Sequence, residues 1–274
     1  MSKGLFPFES GRFVRRAGRP IARPGLMARL DAADGMVVLV AGTGAGKSTL
    51  LDAWVAARGG ALVDLAHEEL EAVPADGVLA IDGVTDRHVP ALRTLAGRPG
   101  VVVAAQEELG LPGAVRLSSC ELGFAEDETY QVLAAAFGDA EAADVLAPDL
   151  HLLTNGWPAL VGLAGAWLAQ HPAPLRRRRL LALARAEAGL AEFLIPAVLA
   201  GLAEADRELV RRLAYLPGPL GVAGDLVPVA PFAQGLLRRP GWFAVPAGWK
   251  AALRAELPLS AAEVERMAAA ELAV

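Results

Sequence analysis

The run Ala41-Gly42-Thr43-Gly44-Ala45-Gly46-Lys47-Ser48-Thr49 has the residue types and spacing of a loop that wraps nucleotide phosphates. Glycines at 42, 44 and 46 let the backbone curl so that successive N–H groups point inward at phosphate oxygens, a conformation that residues carrying a Cβ resist. Lys47 is placed to reach the β- and γ-phosphates, and Ser48 offers the hydroxyl that ligates Mg2+. The helix that begins here aims its positive end at the same charge. Gly42, Thr43, Gly44, Ala45, Gly46, Lys47, Ser48 and Thr49 are therefore candidate nucleotide-binding residues, with Ser48 also a metal ligand. Composition adds an independent signal. The chain has three lysines, Lys3, Lys47 and Lys250, against 23 arginines, so a lysine at 47 runs against a strong bias.

Asp82 carries the second piece of chemistry. Val78-Leu79-Ala80-Ile81 places it at the carboxyl end of a buried strand, where ligands collect in such sheets. A carboxylate there can hold Mg2+ through its water shell while Ser48 holds the ion directly, and its strand is expected beside the loop strand. An aspartate before a helix can equally be a cap. The next residue is Gly83, where a second acid would orient an attacking water. Asp86 lies four residues on, past a turn. Phosphoryl transfer then keeps its electrostatic help but loses alignment of the nucleophile, so weak or absent ATP hydrolysis is expected.

These residues need an α/β frame. Met36 to Val40 is a short apolar run suited to a fully buried parallel strand, and Leu50, Leu51, Trp54 and Val55 follow at helical spacing until Gly59-Gly60. Further strands are predicted over Ala61 to Leu65, Gly77 to Ile81, Val101 to Ala105 and Val115 to Leu117, with an acidic connection from Ala66 to Asp76 and a helix over Val89 to Leu95. Such a βαβ series imposes a parallel sheet of about five strands with helices on its faces. From Ala125 onward the signals are helical: Glu126 to Phe137, Ala140 to Leu146, Pro158 to Ala169, Leu180 to Ala188, and more to about Leu216.

Composition sets the limits. With 274 residues, 54% of them hydrophobic and 21% charged, the chain can bury a large core. A net charge of −5 and a pI near 5.5 argue against a large nucleic-acid footprint, and Arg176 to Arg179 is expected to be a solvated helix face or linker. Cys120 is alone, which excludes an internal disulfide, and it is expected to be inert packing at a strand end. Met1 to Arg16 lacks the apolar segment of a secretory signal, so a cytoplasmic location is expected. The longest apolar stretch, Trp157 to Ala169, is too short to span a membrane and suits a tightly packed internal helix.

Four segments together resemble the signal-transducing ATPases with numerous domains (STAND), in particular the maltose-regulon activator type of ATP-dependent bacterial transcription regulators. They are Ile21 to Leu30, which looks like that family's lead-in to the phosphate loop; Ala41 to Leu51 with Trp54; Leu79 to Asp82; and Leu153-Thr154-Asn155-Gly156-Trp157-Pro158-Ala159-Leu160, which resembles the family's Gly-x-Pro signature. The resemblance implies that Pro158 packs on adenine from a helical lid and that Arg23 lines the nucleotide. It also places Gln106 where the family carries an arginine that senses the γ-phosphate; glutamine can bond phosphate but brings no charge. ATP or ADP with Mg2+ is the implied ligand.

The implied organisation is a lead-in at 1–30, a phosphate-loop α/β core at 31–122, a helical lid at 123–200 and a winged-helix-like C-terminal domain at 201–274. The mixed charge of the last makes direct DNA binding unexpected. Regulators of this type continue into inducer-binding repeats and a DNA-binding module, so output is expected through a partner protein or through copies of the chain itself. A kinase or ordinary ATPase using the same loop would need a catalytic base that the sequence does not offer; a scaffold without nucleotide would leave the intact loop unexplained.

Overall fold

The computed structural model describes residues 21–42, 44–65, 77–184, 199, 204–217, 220–221, 234–235, 242–245 and 247–272. Helix α1 (Pro24–Asp31) leads into β1 (Val37–Val40), the loop and α2 (Lys47–Arg58). There follow β2 (Ala61–Asp64), β3 (Leu79–Val84), the short α3 (Val89–Leu92), β4 (Val101–Ala105) and β5 (Val115–Ser118). The five strands are parallel, in the order β2-β3-β4-β1-β5. The predicted α/β fold with a parallel sheet is therefore the observed one.

The apolar runs are continuous because both faces of the sheet are covered. Val38 and Val40 join Ile81, Val101 and Val103 on one face, under Val89 and Leu92 of α3. Val37 and Leu39 join Ala80, Val102 and Ala104 on the other, under Leu26 and Leu30 of α1 and Leu50, Leu51 and Trp54 of α2. Trp54 also donates to Asp31 at 3.0 Å, tying α2 to α1. The predicted stop at Gly59 is a left-handed cap with φ +70°.

After the short α4 (Ser119–Leu122) the chain is helical: α5 (Glu126–Phe137), α6 (Ala140–Thr154), α7 (Pro158–Ala169) and α8 (Ala173–Ala184). Two boundaries differ from the sequence expectation. Helix α6 runs through Pro148 to Thr154 instead of ending at Leu146, because Ala143, Leu146, Ala147 and Leu150 bury one face in the helical core and outweigh the lost bond at an exposed proline. Helix α8 starts at Ala173, so the arginine run lies inside it; Arg177 to Arg179 are exposed, as expected of a solvated face, while Arg176 turns inward over the Phe137 ring at 4.1 Å. Cys120 is exposed on α4, a correction to its expected packing at the end of a strand.

The C-terminal part holds α9 (Glu204–Tyr215), an antiparallel sheet of β6 (Leu220–Gly221), β7 (Gln234–Gly235) and β8 (Trp242–Ala244) in the order β6-β8-β7, then α10 (Ala247–Glu256) and α11 (Ala261–Leu272). Its core, built on Val210, Leu213, Trp249 and Leu253, also takes in Trp157 and Leu160 from the start of α7. No helix among the described residues is long and apolar enough to cross a membrane.

Candidate functional site

The loop between β1 and α2 leaves the carboxyl edge of the sheet and turns into a helix whose first residue is Lys47. Gly44 and Gly46 both have φ +82°, the left-handed conformation that glycine adopts without strain. Lys47 folds back over the loop, its Nζ donating to Ala41 O at 2.5 Å and to Gly42 O at 3.1 Å. Burial pushes its ammonium down to about 8, against the attraction of Asp82, which pulls it up. Ala45 is buried, and Ser48 and Thr49 are exposed on the first turn of α2. Thr43 lies outside the described residues.

Asp82 is half-buried on β3, its carboxylate accepting from the Gly83 N–H at 2.9 Å. The turn that follows is capped by Thr85 with His88, so Asp82 is not its cap. One expectation is corrected here: β3 is not beside β1, because β4 lies between them. The separation is two ladder steps, about 10 Å. Gln106, exposed, follows the last residue of β4 and so stands between the Asp82 strand and the loop.

Gly83 has φ +74° and sits in an irregular stretch, where pairing of β3 with β4 passes from Ile81↔Val103 directly to Val84↔Ala105. The backbone thus favours glycine at the position where a second acid is missing. Gly83→Ala is expected to cost at least about 1–2 kcal/mol of stability in chemical denaturation, from left-handed strain.

Asp64 is a further acid at this edge of the sheet, outside the sequence candidates. It pairs in register with Asp82 and ends β2 with the pattern Ala61-Leu62-Val63-Asp64, the same three apolar residues and an acid that marked Leu79-Ala80-Ile81-Asp82. That repetition was the signal that could have found it. Among the described residues no group of three or more His, Cys, Asp or Glu side chains is placed to hold a metal ion.

The helical part closes directly on the loop. Ala159 N donates to Gly44 O at 3.0 Å, and a Cβ on Gly44 would meet Trp157 and Ala159 at 2.8 Å. Pro158 lies 3.6 Å from where a Cβ on Gly46 would stand. This contact depends on the corner before α7: Asn155 and Gly156 have φ +50° and +66°, and Pro158 takes the first helical turn, where a missing N–H is harmless. Arg23, by contrast, spends four of its five N–H donors on protein acceptors: Glu128 at 2.8 and 3.0 Å, and the Leu122 and Gly123 carbonyls at 2.7 Å each. It straps the lead-in to the start of the helical part.

No protein-family model and no curated protein matches the chain. Among solved structures it is similar to a signal-transduction ATPase with numerous domains carrying a tetratricopeptide-repeat sensor, from Pyrococcus horikoshii, at 14% identity and a TM-score of 0.43. That match covers 95% of this chain and 46% of the other, so the chain spans about half of that structure. It is also similar to the RuvB Holliday-junction branch-migration motor of Thermotoga maritima, at 15% identity and a TM-score of 0.38, covering 86% of this chain and 92% of that one.

Proposed function

We propose that the chain is a nucleotide-binding regulatory module of the STAND type, holding ATP or ADP with Mg2+ and using its nucleotide state to control contact with a partner protein or with copies of itself. One observation carries this: Lys47 is held over the Ala41 and Gly42 carbonyls of a loop in which Gly44 and Gly46 both take left-handed backbone, at the start of α2. Loop amides, the helix end and the ammonium would together suit anionic oxygen. Ser48 and Asp82 would hold Mg2+, an ion that characteristically combines one or two protein ligands with phosphate oxygens and water. Gln106 is proposed to bond the terminal phosphate. Pro158 would form an apolar wall against the nucleotide, and Arg23 would support it by fixing the lead-in. With Gly83 bringing no carboxylate to orient the attacking water, hydrolysis is proposed to be slow.

The test is calorimetric titration of the full chain with ATP and with ADP, each with Mg2+, at neutral and alkaline pH. Micromolar binding is expected; none at any pH would overturn the proposal. The pH arm has a definite sign. Lys47 is depressed to about 8, so near pH 9 much of it is neutral and must take up a proton when phosphate binds. Titration in buffers of different ionisation enthalpy should show uptake approaching one proton there and almost none at pH 7. Lys47→Arg should abolish the uptake. The same depression makes folding stability rise with pH between about 8 and 10.5, because in that window the unfolded lysine binds more protons than the native one.

A further inference from the structure

We propose that Arg23 is a positioning residue that pins a hinge at residues 123–125, holding the helical part down on the phosphate loop and so limiting how fast nucleotide leaves. These residues join the two cores. Leu122, at the end of α4, packs on the sheet with Leu26 and Leu30 of α1, whereas Phe124, and Leu133 of α5, pack in the helical core. The Arg23 guanidinium bonds both sides of the join: the Leu122 and Gly123 carbonyls at 2.7 Å each on the sheet side, and the Glu128 carboxylate of α5 at 2.8 and 3.0 Å. Glu128 also accepts from the Ala125 N–H at 2.9 Å. Beyond the join, Phe124 N donates to Gly156 O at 2.7 Å, and the corner at Gly156 leads to Ala159, whose N–H holds the Gly44 carbonyl of the loop at 3.0 Å.

The join differs in chemistry from the cores it separates. Among the described residues the buried polar or charged side chains are Arg23, Thr129 and Thr154, and all of them stand here. Thr129 Oγ1 donates to Ala125 O at 3.0 Å, and the Thr154 carbonyl accepts from Trp157 N at 3.0 Å in the corner that Phe124 holds. Apolar surfaces cannot part without meeting water, at a cost that grows with their area. A hydrogen-bonded joint exchanges its partners for water at small net cost. A buried ion pair likewise adds little net stability, because desolvation of both charges offsets their attraction. What it contributes at this join is one geometry: the four bonds of Arg23 are made together at a single angle of closure.

The test of the hinge is amide hydrogen exchange of the full chain without nucleotide, so it stands or falls apart from the nucleotide reading, on which only the claim about release rests. Glu128→Gln keeps the size of the side chain but sets an amide donor against the donors of Arg23 and Ala125. Phe124 N and Ala159 N, which bond across the join and across to the loop, should then exchange about tenfold faster, in line with loss of a hydrogen bond to a charged group. Leu79 N in the sheet and Val161 N within α7 should keep their wild-type rates. Arg23→Lys, whose single ammonium cannot reach four acceptors, should give the same pattern. Arg29→Gln is the control: it breaks an exposed pair with Glu121 that ties α1 to α4 on the sheet side alone, and it should leave all four amides unchanged. Unchanged exchange at Phe124 and Ala159 in both hinge variants, or acceleration of all four amides alike, would overturn the hinge, the second by showing that Arg23 adds only to overall stability. Release of a fluorescent ADP analogue, chased with excess ADP, should be about tenfold faster from Glu128→Gln than from wild type. Faster exchange with unchanged release would overturn the role in release.

Discussion

Lys47→Ala is expected to weaken binding of Mg2+-nucleotide at least about 100-fold, a loss of roughly 3 kcal/mol, while the protein remains folded. The side chain is a charge donor held at the loop by two carbonyls, and phosphate would replace those carbonyls as its acceptor. Its effect on stability is small because two terms oppose each other. Removing a cation that burial has pushed down to about 8 relieves a desolvation cost, whereas the Ala41 and Gly42 carbonyls lose a donor worth about 1 kcal/mol each. Calorimetry gives the affinity and thermal unfolding gives the stability. Undiminished affinity in a folded variant would remove Lys47 from the site.

Gly156→Ala is expected to destabilise the protein by about 3–5 kcal/mol, the range reached when a backbone contact is broken rather than trimmed. An added Cβ would stand 2.1 Å from the Phe124 carbonyl oxygen, and φ is +66°. The clash forces apart a corner held by the 2.7 Å bond from Phe124 N to Gly156 O. Gly59→Ala is the control: φ is +70°, but no atom lies within 4 Å of the new Cβ, so only left-handed strain of about 1 kcal/mol is expected. Equal losses of denaturation free energy in the two variants would show that the close approach at Gly156 carries no weight. Nucleotide affinity should also fall in Gly156→Ala, since the displaced residues include Ala159, which bonds the Gly44 carbonyl.

That corner gives the proposed switch a physical path. Trp157 stands against Gly44 of the phosphate loop and pairs with Trp249 of α10, ring centroids 5.3 Å apart. A change in loop geometry therefore meets a packed side chain that belongs to the C-terminal core.

The sequence by itself determined the parts whose information is local. The phosphate loop was legible because glycine spacing and a lysine in a chain with so few lysines leave little choice, and the inner strands β1, β3 and β4 were legible because burial on both faces demands apolar runs. Helices α5 and α7 stand where their spacing predicted, bounded by Gly138 and opened by Pro158. Tertiary structure alone decided the rest. Insertion of β4 between β1 and β3 depends on which strands pair, which no local pattern records, and it places Gln106 between Asp82 and the loop. Helix α6 passes Pro148 because burial summed along a whole helix face exceeds the cost of one missing bond. The meeting of Trp157, Pro158 and Ala159 with Gly44 and Gly46 joins residues more than a hundred positions apart, and only the packed chain brings them together.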